Sequence, residues 1–117
     1  MKKESFNKFF DLNTKVAIYV PSTIDVNKPI DNSEFCAYVQ RKLSDMFGGA
    51  TTNEAYGSYV CNNGELLNEK VSIVYSFCSS SQIMENIESV VQICEYLKKE
   101  MSQESILLEV NNKVKFI

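Results

Sequence analysis

The segment FGGATTNEAYGSYVCNNG, residues 47–64, decides how the fold is read. It contains two adjacent glycines, and such a pair serves either to bind a phosphate or to end a helix. A phosphate-binding glycine loop precedes a helix, whereas Gly48 and Gly49 follow an apolar stripe with helical spacing. The segment has neither a G-x-G-x-x-G nor a G-K-[ST] motif. We therefore predict that Gly48 ends a helix and that an extended strand follows.

The rest of this segment predicts a strand and a hairpin turn. Residues 51–60 are rich in polar side chains and include Gly57, which favours a strand at the edge of a sheet. Asn62-Asn63-Gly64 predicts a tight turn, because Asn and Gly tolerate positive φ.

The third strand, residues 68–78, alternates between two sets of side chains. The strongly apolar set is expected to face the helices, and it comprises Val71, Ile73, Tyr75 and Phe77. The mixed set is expected on the open face beside Ala17 and Tyr19, and it comprises Ser72, Val74, Ser76 and Cys78.

The remaining elements complete a ferredoxin-like pattern. Strands are predicted at residues 15–20, 105–110 and 113–117, and helices at about 32–47 and 82–101, the second with an N-cap from Ser79-Ser80-Ser81. The order is β-α-β-β-α-β, which predicts an α+β ferredoxin-like sandwich with an added C-terminal β-hairpin strand. Two helices lie on one face of an antiparallel sheet, with the first and third strands central and the second and fourth at the edges.

The domain organisation is one domain preceded by a short arm. Residues 15–117 form the single α+β domain, and residues 1–14 form an N-terminal arm. The arm is predicted to pack on the body or on a partner through Phe6, Phe9, Phe10 and Leu12.

The composition excludes several classes of protein. The chain has 117 residues, a net charge of −3 and a single arginine, Arg41, so direct nucleic-acid binding is disfavoured. No apolar run approaches the roughly 20 residues of a membrane span, and the N-terminus lacks the apolar core of a signal peptide. We therefore expect a cytoplasmic protein that does not bind membranes.

The side chains available for chemistry are few. The chain has no histidine, which removes Ser-His and Cys-His catalysis, and its four cysteines are too widely spaced to suggest zinc. An enzyme would have to use carboxylates near the hairpin, such as Glu54, Glu65 and Glu69, although a solvated turn explains the same residues. We predict no metal, no cofactor and no catalytic residues, and hence a protein that is not an enzyme.

The second strand offers a surface for a protein partner. Its tyrosines provide large amphipathic contact area, and an edge strand accepts another chain by β-addition. The predicted partner-binding residues are Asn53, Glu54, Tyr56, Ser58, Tyr59 and Glu69.

Three motifs resemble a group of small uncharacterised ferredoxin-like proteins from Gram-positive bacteria, their phages and plasmids. They are VAIYVPS at residues 16–22, LSDMFGGAT at 43–51 and GSYVCNNGELLNEKVSIVYSFC at 57–78. The group's Gly-x-Leu-x-x-Glu step is approximated by Gly64, Leu66, Leu67 and Glu69. The resemblance implies a mobile-element setting and supplies no mechanism.

Two hypotheses about function follow. The first is a non-catalytic interaction protein, which binds a protein partner or a second copy of itself through the sheet face or edge strand and inhibits a host or defence factor. The second is a small-molecule-binding domain or minor enzyme with its ligand on the open sheet face. A pocket lined by Tyr19, Tyr59 and Glu69 favours the second hypothesis, and a flat tyrosine-rich surface favours the first.

Overall fold

The computed structural model describes Ser5, Asn7, residues 9–25 and residues 28–117. In chain order the elements are β1 (Thr14–Pro21), β2 (Thr23–Ile24), β3 (Lys28–Pro29), α1 (Ser33–Phe47), β4 (Thr51–Val60), β5 (Leu66–Cys78), α2 (Ser80–Glu100), β6 (Leu107–Val110) and β7 (Lys113–Phe116). Phe6 of the predicted arm lies outside the described residues.

The strands form an antiparallel five-stranded sheet in the order β4-β5-β1-β6-β7, and α1 and α2 pack on one face of it. This is the predicted ferredoxin-like α+β fold. The first and third strands of the pattern, β1 and β5, are central, and β4 lies at an edge as predicted. The C-terminal hairpin adds β7 beyond β6, so β7 takes the other edge. The prediction that the fourth strand of the pattern, β6, lies at an edge is therefore wrong. The short strands β2 and β3 pair separately in the connection before α1.

The ends of both helices are set by local sequence. Gly48 has φ 92°, and its N–H donates to the carbonyl of Ser44 at 2.8 Å, which closes the last turn of α1. The glycine pair therefore ends a helix, as predicted. At the start of α2, the Ser79 hydroxyl accepts the Gln82 N–H at 3.1 Å, and the Gln82 side chain accepts the Ser79 N–H at 2.9 Å. This capping box satisfies two amides that would otherwise lack partners.

The core lies between the helices and the central strands. It is built from β-branched and aliphatic side chains with almost no exposure, among them Val16, Ile18, Val20, Val39, Leu43, Val74, Val90, Leu97 and Met101. Cys36, Cys78 and Cys94 are buried in the same layer, and all four cysteines are free thiols. Across the part of the chain that the structure describes, no helix has both the length and the apolar character that crossing a membrane requires.

The prediction for the two faces of β5 is wrong. The mixed set faces the helices, with Ser72, Val74, Ser76 and Cys78 buried, and Phe77 of the apolar set is exposed. The register explains this, because Val16, Ile18 and Val20 of β1 lie beside Ser76, Val74 and Ser72 on one face. The two serines are buried at little cost since each hydroxyl makes hydrogen bonds within the layer.

The β4–β5 hairpin extends beyond the rest of the sheet. β1 pairs with β5 only between Val71 and Cys78, so residues 56–60 and 66–70 pair only with each other among the strands. We call these ten residues the ribbon. Its tip carries exposed apolar side chains in the cross-strand pairs Val60–Leu66 and Tyr59–Leu67.

Candidate functional site

The open face of the sheet, opposite the helices, carries an unusual number of apolar side chains. By strand alternation and register it holds Tyr19, Val71, Ile73, Tyr75, Phe77, Leu107, Val114 and Phe116. Tyr75 packs edge-on against Phe77 at 5.6 Å between ring centroids, and the Lys15 ammonium lies 4.3 Å from the Tyr75 ring. An exposed apolar surface of this kind marks a binding site more often than it marks bare surface.

A groove lies on this face where the ribbon leaves the sheet. Its volume is about 290 Å³. β1 and the ribbon form one side, and the loop after α2 together with β6 and β7 forms the other. The residues that line it are Tyr19, Pro21, Gly57, Ser58, Tyr59, Glu69, Val71, Gln103, Ser105, Ile106, Leu107 and Phe116. We call it the open-face groove.

One carboxylate of the open-face groove is held by a chain of hydrogen bonds. The Thr23 hydroxyl donates to Glu69 Oε1 at 3.1 Å, and the Gln103 side-chain amide donates to the Thr23 carbonyl at 2.9 Å. Thr23 is nearly buried, so it holds Glu69 from the body of the protein. Glu69 has a second oxygen, and its remaining acceptor sites are available to a ligand.

Tyr19 also lines the open-face groove, and it bonds to a second glutamate that is not among the lining residues. The Tyr19 hydroxyl donates to Glu109 Oε1 at 3.0 Å. Burial raises the pKa of Tyr19 above its ordinary value, and the hydrogen bond and negative charge of Glu109 raise that pKa further. Tyr19 is therefore a neutral phenol at physiological pH, and its ring presents an uncharged aromatic surface to the groove.

The charge of the open-face groove selects against phosphate. Glu69 is the one acidic side chain among the described residues that line it, and no lysine or arginine is among them. Phosphate recognition depends on such cations or on a helix N-terminus. The groove is therefore suited to a ligand that is neutral or positively charged and that carries an aromatic group.

The structure brings together some of the predicted site residues and separates others. Tyr19, Tyr59 and Glu69 all line the open-face groove. Asn53 shares their face of the sheet but lies four residues before Gly57, towards the other end of β4. The backbone region of Ser58 contributes to the wall, although its hydroxyl bonds to Asn68 on the opposite side of the ribbon.

Glu54 and Tyr56 lie on the other face of β4. Glu54 accepts a hydrogen bond from the Ser72 hydroxyl at 3.1 Å and lies 3.5 Å from the Lys70 ammonium. Strand alternation thus places Glu54 and Glu69 on opposite faces, so these two do not form an acid–base pair. Glu65 is exposed in the hairpin turn. Within the described residues, no three His, Cys, Asp or Glu side chains converge to hold a metal ion.

Sequence reasoning missed the far wall of the groove. Gln103 and Phe116 come from the loop after α2 and from the C-terminal hairpin, more than 30 residues after Glu69. Glu109, the hydrogen-bond partner of Tyr19, comes from the same hairpin. No local motif marks them. The one available signal was the predicted antiparallel position of the last strands beside β1, which brings residues near 107–109 next to residues near 17–19.

Solved structures show the same fold. A phage SAM lyase in complex with S-methyl-5'-thioadenosine has a TM-score of 0.65 at 17% identity, over 93% of this chain and 94% of that chain. A phage SAM lyase in the apo state has a TM-score of 0.64 at 17% identity, over 91% and 89%. A Bacillus cereus protein related to NIF3 has a TM-score of 0.52 at 16% identity, over 88% of this chain and 27% of that chain.

Identities this low show similarity of fold alone. A search of curated protein sequences finds no match. A family model does match, and it covers residues 16–116, from the third residue of β1 to the last residue of β7. The chain therefore belongs to the family described as "Protein of unknown function (DUF3574)".

Proposed function

We propose that the open-face groove binds a small ligand of the 5'-thioadenosine class, which includes the thioether S-methyl-5'-thioadenosine and the sulfonium SAM, with SAM as the first candidate. The observation that carries the proposal is the meeting of Tyr19, Tyr59 and Glu69 around one cavity of about 290 Å³. The fold similarity to a phage SAM lyase in complex with S-methyl-5'-thioadenosine supports this choice of ligand class. The same groove favours the small-molecule hypothesis over the hypothesis of a non-catalytic interaction protein.

The aromatic side chains of the groove can stack on the adenine of such a ligand. Tyr19, Tyr59 and Phe116 contribute rings to its walls. Stacking of a base on an aromatic ring contributes about 1–3 kcal/mol and needs no specific hydrogen bond. Tyr59 is suited to substitution, because it lies on the ribbon and half of its surface is exposed.

The Glu69 carboxylate suits the charged and hydroxyl groups of such a ligand. SAM carries a sulfonium and an ammonium group, and both are attracted to the negative charge of Glu69 and to the faces of tyrosine rings. The free acceptor sites of Glu69 can also receive hydrogen bonds from ribose hydroxyls. A nucleoside triphosphate is repelled by the same carboxylate, since no cation among the described lining residues offsets its phosphates.

Calorimetric titration with SAM, S-methyl-5'-thioadenosine and ATP tests this proposal. We expect binding of the first two ligands and none of ATP. Tyr59→Ala should weaken binding about 10- to 100-fold, in line with the loss of one stacking contact. Tyr56→Ala is the matched control, because Tyr56 lies on the same ribbon but on its opposite face. Equal affinity in both variants, or no binding by the wild type, rejects the proposal.

Incubation with SAM then separates binding from catalysis. S-methyl-5'-thioadenosine retains the adenosine, sulfur and methyl group of SAM, so its appearance reports cleavage of the remaining carbon–sulfur bond. Chromatography of the reaction mixture measures it directly. Product that forms with the wild type and not with Glu69→Gln identifies an enzyme. Binding without product identifies a ligand-binding domain.

The exposed tip of the ribbon supports a second candidate function. In this candidate a phage or plasmid encodes the protein, and the protein inhibits a host or defence factor in the cytoplasm. Tyr56, Val60 and Leu66 are each more than 60% exposed, and Glu54 lies on the same face. Exposed aromatic and aliphatic side chains on a projecting hairpin suit the core of a protein interface. Capture of one host protein that Tyr56→Ser and Leu66→Ser abolish, and that Tyr59→Ser leaves unchanged, supports this candidate. Capture that is equal with every variant rejects it.

A further inference from the structure

A second groove lies on the helix side of the sheet, away from the open-face groove. It has a volume of about 710 Å³ and runs between the first turns of α2 and the β6–β7 hairpin. Its apolar walls come from α2 and β6 and comprise Ile83, Met84, Ile87, Val91, Leu108 and Val110. We call it the helix-side groove. Among the described residues it shares no lining with the open-face groove, so the two can be occupied independently.

The walls of the helix-side groove expose hydrocarbon that the fold leaves uncovered. The Met84 side chain is 77% exposed, and Ile87 is also exposed although it belongs to the apolar stripe of α2. Leu108 is almost completely buried, so it forms the base of the groove rather than its rim. The volume falls within the roughly 300–1,000 Å³ typical of small-molecule sites. The groove therefore suits a hydrocarbon chain better than it suits a sugar or a nucleotide.

Two lysines stand along the outer rim of the helix-side groove. β7 is an edge strand, and cross-strand pairing places Lys113 beside Val110 and Lys115 beside Leu108. Both lysines are exposed, both line the groove, and neither forms an ion pair within the described part of the chain. A lysine in such a place packs its aliphatic stem on the apolar wall and keeps its ammonium group in water. The rim therefore carries two positive charges above an apolar floor.

The acidic side chains of the neighbouring elements lie outside the groove. Glu109 stands between Leu108 and Val110, but strand alternation turns its side chain to the open face, where it accepts the Tyr19 hydroxyl at 3.0 Å. On α2, Glu88 lines an adjoining depression instead. The charge of the described lining residues is therefore wholly positive, although the whole chain has a net charge of −3. An anion is attracted to this rim by local charge rather than by the charge of the whole molecule.

From these observations we propose that the helix-side groove binds a free long-chain fatty acid, with its hydrocarbon chain between α2 and β6 and its carboxylate at Lys113 and Lys115. An apolar tail and an anionic head on one molecule match the walls and the rim together. The groove is a cleft between two elements rather than a projecting surface, so it suits a single molecule better than a bilayer. Each buried methylene adds favourable transfer free energy, so affinity should rise with chain length.

Calorimetric titration with laurate, below the concentration at which it forms micelles, tests the proposal. We expect saturable binding of one laurate per chain. Hexanoate should bind more weakly, because its short chain buries less hydrocarbon. Dodecyltrimethylammonium should also bind more weakly, because the two lysines repel its cationic head.

A charge placed in the apolar wall should oppose the hydrocarbon chain. Met84→Glu should weaken laurate binding at least about tenfold, since the new carboxylate is costly to desolvate and repels the ligand. Ser89→Glu is the matched control, because it adds the same charge to an exposed position of α2 that does not line the groove. Circular dichroism of each variant confirms its fold, which these exposed positions leave intact.

The role of the two lysines is tested with monolaurin, an uncharged ligand that has the same chain as laurate. Changing Lys113 and Lys115 together to Gln should weaken laurate binding at least about threefold and leave monolaurin binding unchanged. Lys99→Gln is the control, because Lys99 is exposed on α2 and does not line the groove. Equal losses for laurate and monolaurin would show that the lysines do not bind the carboxylate, and the proposal would fail.

Other occupants of the helix-side groove give different results, and each of these overturns the proposal. No saturable binding of laurate by the wild type, or equal affinity in the wild type and every variant, leaves no site for a fatty acid. Laurate binding that appears only after Phe9→Ser and Phe10→Ser assigns the groove to the chain's own exposed phenylalanines. A wild-type dimer that Met84→Glu dissociates assigns it to a second copy. Sedimentation with phosphatidylglycerol vesicles, without binding of free laurate, assigns it to a membrane surface.

Discussion

Single buried hydroxyls decide which side of β5 faces the helices. Ser76 is 2% exposed, and its hydroxyl donates to the Gly49 carbonyl at 2.6 Å. The Ser72 hydroxyl donates to Glu54 at 3.1 Å and accepts from the Asn32 amide at 3.2 Å. The sequence pattern of β5 alone favours the opposite face, because a hydrophobicity scale places serine outside. The partners that make burial acceptable come from other elements, so no local pattern reveals them.

Ser76→Ala should destabilise the protein by about 1 kcal/mol, because it removes the hydrogen bond that the buried Ser76 hydroxyl donates to the Gly49 carbonyl. Urea unfolding measures the change. Ser89→Ala is the control, since Ser89 is exposed on α2 and should change stability by less than about 0.5 kcal/mol. A Ser76→Ala midpoint that matches the wild type would show that this hydrogen bond contributes nothing to the choice of face.

Cys94 should make the free energy of unfolding depend on pH under alkaline conditions. The residue is fully buried, and burial raises the pKa of its thiol from 9.0 to about 12. The folded state therefore holds a proton that the unfolded state releases near pH 9. This contribution to stability is fully present below pH 9 and is lost as the pH rises from 9 towards 12, by at most about 1.4 kcal/mol per pH unit.

The measurement compares urea unfolding of the wild type and Cys94→Ala from pH 7 to pH 10.5. The free-energy difference between them should be constant up to pH 9 and should then shrink. Cys61→Ala is the control, because Cys61 lies half-buried at the base of the hairpin turn rather than in the core. Parallel curves for all three proteins over the whole range would contradict the assignment.

The elements themselves could be predicted from the sequence with few errors. Helix ends are encoded locally, by Gly48 after α1 and by Ser79 before α2, and hairpin turns by Asn-Gly and Asn-Asn pairs. The long β4 and β5 strands follow from alternation between two such signals. The short strands β2 and β3 were missed, because two-residue pairings carry no periodicity.

The two glycines after α1 have different roles, and substitution separates them. Gly48 has φ 92°, a conformation that costs an L-residue about 1–2 kcal/mol. Gly49 does not have positive φ, and nothing lies within 4 Å of an added Cβ there. Gly48→Ala should lower the free energy of unfolding by about 1 kcal/mol, and Gly49→Ala should leave it unchanged or raise it by up to about 1 kcal/mol. Thermal unfolding of the two variants measures these changes. Equal losses of stability at both positions would reject this account of the helix end.

At the scale of the whole molecule, the site is assembled from distant segments. Tyr19, Tyr59 and Glu69 could be chosen from the sequence, because the strand pattern places them near one face. Gln103 and Phe116 could not, since their position depends on where the chain returns after α2. The ribbon is a further property of the assembled sheet: β4 and β5 are long, and β1 is too short to support them along their full length.

Hydrogen exchange should report this difference along a single strand. Residues 71–75 of β5 lie between two neighbouring strands, whereas residues 66–70 have β4 as their one partner strand in the described chain. A two-stranded ribbon is marginally stable in water, so we expect its amides to exchange at least about tenfold faster than those of residues 71–75. Residues 71–75 are the internal control. SAM should slow exchange near Glu69, because a ligand in the open-face groove bridges the ribbon and the body. Ribbon amides as slow as the core of β5 without ligand would mean that another surface already covers the ribbon, and the site would then have to be sought there.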